Sequence, residues 1–377
     1  MKKNKIYKMD CLYFGGYKPC KPYKLCKGCK EYKKIGKKIL IINLDALGDV
    51  LKTTSLLPAL KRKYSDSHIT WITDIPAEPL LANNPHINKV CTFKLDDILP
   101  LLCQSFDVLY NGDKTRRSCA LANMARAKKK FGFGLDDNGV IVPMNDEAQE
   151  LYAVGLNDEL KFFKNKRSNQ ELLGRAWDLD YKRDEYVLNL DDEEKEFIAN
   201  FRKENGLKKN DFVIGVNTGS SKNYPYKRIA IDLQINLIKK LKKLIPQAKI
   251  ALLGGKEDIG RNEKIKKALK GKVINTPCDM GLRKGILFIA ACDMMITGDT
   301  VALHIAIALK KPVVVWFSIT CENEIDLYGR GLKVISRVEC RPCWKSYCDK
   351  EIKCNEVADT GQLSEAAFTL YKRYGKK

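Results

Sequence analysis

Short apolar runs alternate with amphipathic stretches along most of this chain, the pattern of an α/β fold. The run at 39–42 is uninterrupted, which predicts a parallel strand buried on both faces. It breaks at 43–49, a short polar turn that contains a glycine. Leu51, Leu56, Leu57 and Leu60 then recur on one face of a helix. Further strands are predicted at 69–73, 89–93, 107–110 and 130–134, with helices between them, for example at 118–129. Residues 139–187 read as irregular apart from a helix at 169–177. A charged helix at 191–206 leads into a second series of strands at 212–217, 249–253, 272–275, 294–297 and 312–317. The chain closes with a surface helix at 363–374. A doubly wound domain places its ligand at the carboxyl end of its first strand. Asp49 stands there, directly after Gly48. A carboxylate in that place serves as a general base or as a helix N-cap.

The length, 377 residues, is too great for one ordinary core and suits two domains of about 130 to 190 residues. No apolar run approaches the ~20 residues of a membrane-spanning helix. The opening MKKNKIYKMDC has lysines with no apolar core behind them, which is not a signal peptide. A cytoplasmic protein is expected. The net charge is +22, and 13 lysines against two acids fall in the first 38 residues. Such a face attracts phosphorylated glycolipid, an anionic membrane or nucleic acid; a generally lysine-rich composition is the plainer account. No helix-turn-helix, RNA-binding aromatic pair or arginine-rich segment supports nucleic acid. Peripheral contact with an anionic inner-membrane surface is therefore expected, and no nucleic-acid partner.

Fourteen cysteines change the picture at the two ends. Cys91, Cys103, Cys119, Cys278, Cys292 and Cys321 are scattered and read as small buried hydrophobes. Cys11, Cys20, Cys26 and Cys29 form one group ending in C-x-x-C, and Cys340, Cys343, Cys348 and Cys354 form another beginning with it. Such groups in a reducing compartment suggest a metal before a disulfide. The arm at 1–37 has almost no aliphatic run and needs a metal to fold. Structural zinc is expected on the first group, with an iron–sulfur cluster, free thiols or disulfides as alternatives. The second group is a further candidate.

Two strings carry a family resemblance. LDALGDVLKTTSLLPALK at 44–61 resembles the opening motif of the lipopolysaccharide heptosyltransferases, glycosyltransferase family nine, roughly LSSLGDVVLTTPVLRALK. DMMITGDTVALHIAIALKKPVVVWF at 293–317 resembles the family's ADLVVSNDSGPMHLAAALGKPVVALFG. The resemblance runs from about residue 38 to about 336, without the two cysteine-rich ends. It implies a GT-B enzyme: an acceptor domain at 38–190, a nucleotide-sugar domain at 191–336, a cleft between them, and a tail at 337–377 whose helix packs back on the first domain. The implied activity is inverting, metal-independent transfer of a heptose or similar sugar from an ADP-heptose-like donor to a lipopolysaccharide core or related glycan. Alternatives are another GT-B transferase with a different nucleotide-sugar, and a non-catalytic binding protein on the same scaffold.

Residue roles follow from the same resemblance. Asp49 matches the family's base, its pKa raised by desolvation. Asp45, where the family has serine, either raises that pKa further or binds acceptor, and Thr53 lies on the acceptor side. Thr218, Ser220 and Lys227 match the strand-end loop on the donor phosphates, with Lys222 as a rival for Lys227. Glu257 matches the acid on the nucleoside side. Asp299, Thr300 and His304 match the residues around the donor's sugar and phosphates, at a helix start suited to a diphosphate. Val301 departs from the usual glycine there. Asp178 and Asp180 form a D-x-D, read as coincidence, and no catalytic metal is expected.

Overall fold

The computed structural model describes residues 6–20 and 25–375. Its first sheet holds β1 (Lys37–Ile42), β2 (Ser67–Thr73), β3 (Lys89–Thr92), β4 (Ser105–Asn111), β5 (Arg126–Leu135) and β6 (Ile141–Pro143), in the order β3-β2-β1-β4-β5-β6. The second holds β7 (Val213–Asn217), β8 (Lys249–Leu253), β9 (Ile274–Asn275), β10 (Met294–Gly298), β11 (Val313–Phe317) and β12 (Gly331–Ile335), in the order β12-β11-β10-β7-β8-β9. Counted within each sheet both orders are 3-2-1-4-5-6, the doubly wound arrangement. Every pairing is parallel except β5 with β6. The apolar runs explain this: Ile39–Ile42 in β1 and all of β10 and β11 are buried, as strands covered by helices on both faces must be. The order reverses between β1 and β4 and between β7 and β10. At those switch points the loops after the strands diverge and leave a crevice.

The helix expected at 118–129 is cut short. It spans Arg116–Met124, and β5 begins at Arg126. The lysine-rich run has good helix formers, but pairing of Ser105–Asn111 with Arg126–Gly132 overrides that local preference. The stretch read as irregular contains β6, a helix at Gln149–Leu156 and a π-helical turn at Leu160–Lys164. The C-terminal helix, Thr360–Tyr374, does not pack on the first domain. Its Leu363, Ala367 and Leu370 are buried in the second sheet's core with Leu237, Ile238 and Leu241, and Tyr371 packs against Phe212. The apolar stripe of the tail finds its match on the helix Ile231–Leu244 beside it. No helix among the described residues is long and apolar enough to cross a membrane.

Candidate active site in the cleft

The helix after β1, Leu47–Thr53, and the helix after β10, Val301–Ala308, pack against each other across the two units. Gly48 makes this possible. A Cβ there would lie 2.5 Å from the His304 ring, closer than real contacts allow. Asp49 and His304 therefore face one cleft although 255 residues separate them. Asp49 keeps 51% of its side chain open to that cleft although protein surrounds it. It is not the helix cap: Ala46 holds that place.

A lysine missed by the sequence reading controls this carboxylate. Lys52 is 5% exposed, and its Nζ donates to Asp49 Oδ1 at 2.6 Å. Burial drives the Asp49 carboxyl up, but the Lys52 ammonium and then His304 outweigh it and hold it below the usual carboxylate range. The expected upward shift is thus reversed, because a buried cation lies one helical turn away. Asp45 does not act on Asp49 in the expected way either. It pairs with Arg117 at 2.6 Å, and Arg117 also binds Asp74. The carboxyl that supports the turn is Asp113, after β4. It accepts from the Leu44 N–H and from Asn43, and burial pushes it up to about 7. Thr53 is 2% exposed, so it presents nothing to an acceptor.

On the other wall, Lys227 donates to Asp299 Oδ2 at 3.2 Å. Gly298 lets the two loops meet, since a Cβ there would lie 2.0 Å from the Lys227 carbonyl. Burial raises Asp299, but Lys227 and His304 outweigh it and keep it ionised. Thr300 caps the helix Val301–Ala308 in position but not with its side chain. Its hydroxyl accepts from Asn217 at 3.2 Å, which leaves the helix's first N–H groups for a ligand. His304 stacks on Tyr186 and shares a 3.3 Å contact with its hydroxyl. Burial, reinforced by Lys52, pushes its imidazole down to about 4, so it is neutral at neutral pH.

Other expected donor contacts point elsewhere. Thr218 is fully buried, and its hydroxyl is directed at the Leu253 carbonyl and Asn262. It builds the loop and cannot reach a ligand. Ser220 donates to the Tyr224 carbonyl at 3.0 Å. Glu257 pairs with Lys222 at 3.1 Å on the exposed rim, which separates Lys222 from Asp299 and favours Lys227 as the cleft lysine.

Lys161, Glu324 and Trp344 were not foreseen. Lys161 comes from the π-helical turn of the first unit. Its ammonium lies 3.9 Å from Glu324 and 4.4 Å from the centroid of the Trp344 ring. Lys227 lies 4.8 Å from the same ring. Glu324 is pushed up by burial, against Lys161 and Lys52. The cysteine-rich tail thus delivers an aromatic face to the cleft. Of the scattered cysteines, Cys91, Cys119, Cys292 and Cys321 are buried, Cys278 is half-buried, and Cys103 is exposed, against expectation. Among the described residues no group of three or more His, Cys, Asp or Glu side chains is drawn tightly enough to hold a metal ion as it stands. Asp178 of the D-x-D pairs with Lys63 at 2.7 Å.

The sequence profile of glycosyltransferase family 9 (heptosyltransferase) matches residues 100–353. The chain belongs to this family and is a glycosyltransferase. It is 27% identical over 300 residues to lipopolysaccharide heptosyltransferase 1 of Campylobacter coli, covering 75% of this chain and 84% of the relative. Its fold is similar to that of the family 9 glycosyl transferase from Veillonella parvula, with a TM-score of 0.68, 19% identity and coverage of 89% and 97% of the two chains. It is likewise similar to the E. coli ADP-heptose LPS heptosyltransferase II, at 0.64, 18%, 89% and 99%. The two-domain GT-B expectation therefore holds for this transferase.

Proposed function

We propose that this transferase moves a heptose or similar sugar from ADP-heptose to a lipopolysaccharide core or related glycan, with inversion. The observation that carries the reading is the meeting of Asp49 from one unit with Lys227, Asp299 and His304 from the other in one cleft. The E. coli relative, named for ADP-heptose, supports that donor, and the Campylobacter relative supports a lipopolysaccharide acceptor. An acceptor hydroxyl attacks the anomeric carbon while Asp49 takes its proton. The bond to the diphosphate breaks, and the electron pair leaves on the phosphate oxygen. Lys227 turns from Asp299 to that oxygen, and the N–H groups at the start of Val301–Ala308 add to its stabilisation. These ammonium and N–H groups supply the counter-charge a catalytic metal gives elsewhere. His304, neutral and fixed by Tyr186, positions the sugar. Asp45 with Arg117 forms the acceptor side. Thr300 sits at the donor's phosphates. The lysine-rich arm makes peripheral contact with an anionic cytoplasmic membrane surface.

The test is transfer to delipidated core acceptor with ADP-heptose against UDP-sugars. Turnover with ADP-heptose, lost in Asp49→Asn, is expected. Turnover with a UDP-sugar alone would replace the donor. Donor binding without turnover on any core acceptor would overturn the acceptor assignment.

A further inference from the structure

The four cysteines of the N-terminal arm are spread over 19 residues, yet all four line a single cavity. The chain builds that cavity with a small clasp. The Leu12 N–H donates to the Lys33 carbonyl and the Ile35 N–H to the Asp10 carbonyl, both at 2.8 Å, and Cys11 bridges Lys34 in antiparallel fashion. Cys11, within the clasp, is buried. Further along, the chain turns so that the Cys29 N–H donates to the Cys26 carbonyl at 3.3 Å. Gly28 sits within this turn at φ 74°, a left-handed backbone that glycine takes freely. The Cys20 Sγ lies 3.3 Å from the Tyr13 carbonyl.

Nothing apolar explains why this arm folds. Cys11 is the sole buried hydrophobic residue among its described positions, while Ile6, Met9, Tyr13, Tyr17 and Leu25 are all more than half exposed. All four cysteines are unpaired. A segment with so small a core needs a cross-link or an ion. The lining also fits an ion's charge. Four thiolates around a divalent cation carry two net negative charges, and Lys8, Lys30 and Lys33 border the same cavity against one acid, Glu31. The arm enters the fold at the start of β1, and the cleft lies beyond its end. Six residues of strand, about 20 Å, separate the two, so the site is structural.

We propose that Cys11, Cys20, Cys26 and Cys29 bind one thiophilic divalent ion, zinc by first choice, in a tetrahedral four-thiolate site that folds the arm. The sulfurs converge without closing, so contraction onto the ion is part of the proposal. Binding releases the thiol protons to solvent and leaves no redox change.

The full-length protein, purified without air, should carry about one more metal ion per chain than its Cys26→Ser/Cys29→Ser variant, the stoichiometry of a closed site. The comparison is made in a Cys340→Ser/Cys343→Ser background, which removes the other group from the count. Cobalt(II) added to the metal-stripped protein should give the visible absorption of a tetrahedral thiolate complex, and lose it in the Cys26/Cys29 variant. Trypsin should cut the lysine-rich arm only after chelation. Iron in place of zinc, lost in the same variant, also supports the four-thiolate site. Equal metal in both proteins, arm thiols that alkylate freely in excess zinc, or a disulfide among the four would overturn it.

Discussion

Lys52→Met tests whether the buried ammonium sets the working state of Asp49. Methionine keeps most of the volume of a side chain that is 5% exposed and removes only its charge. At the observed 2.6 Å, the pair is worth about 1.6 kcal/mol with water-like screening and about 6 kcal/mol at an effective dielectric of about 20. The Asp49 side chain is 51% open, so the smaller figure applies. With Lys52 present, the folded pKa of Asp49 lies below the ordinary carboxylate value. Its base form therefore persists as pH falls and is lost only below that range. Without Lys52 its largest counter-charge is gone, so the base form is lost at higher pH. His304 moves the same way, because Lys52 also helps hold it unprotonated. The acid limb of kcat/KM against pH should shift upward. At a fixed pH on that limb, the variant should retain about a tenth of the base form, the ratio that about 1.4 to 1.6 kcal/mol implies. At neutral pH both proteins should be active, with the variant's Asp49 the stronger base. Coincident acid limbs would refute the reasoning, as would a variant inactive at every pH while still folded and binding nucleotide.

Three further outcomes follow from the same geometry. Asp49→Asn should retain its fold and ADP affinity but lose at least ~100-fold in turnover, the scale of a lost general base; a variant that keeps half the wild-type rate would leave Asp49 without that role. Lys227→Ala should weaken ADP about 10- to 100-fold by isothermal titration, as a charged hydrogen bond predicts, and Lys222→Ala less than about fivefold because its pair is exposed; the reverse order would move the phosphate contact to the rim. Leu370→Ala should cost about 2–5 kcal/mol in urea unfolding, since Leu370 is buried in the second core; a cost below about 1 kcal/mol would mean the tail helix is not anchored there.

What the sequence reveals about this fold depends on how far each residue's job reaches. The strands of the sheet interiors were legible because burial on both faces writes an uninterrupted apolar run, as in Ile39–Ile42 and Val313–Phe317. At 126–130 the signal was local lysine, and the deciding force was pairing with β4, which no short window contains. The tail helix shows the same limit. Its apolar stripe was plain, but the partner, Leu237 to Leu241, lies more than 120 positions earlier. In the cleft, Asp49, Lys227, Asp299 and His304 stood out because their motifs resemble those of the family; Asp49 and Asp299 also follow the first strand of one sheet and the fourth of the other. Their electrostatic state did not stand out, since pKa depends on neighbours from both units. Thr218 has the right residue type in the right loop, and the fold turns it inward to Asn262. Lys52 was the readable omission. It interrupts the apolar positions of the opening helix, where the family form has leucine, one turn after Asp49. A lysine buried there must be paired, and the carboxylate within reach is Asp49, the base of the proposed reaction. The departure from the motif, rather than the match to it, therefore carries the information about the charge state of Asp49.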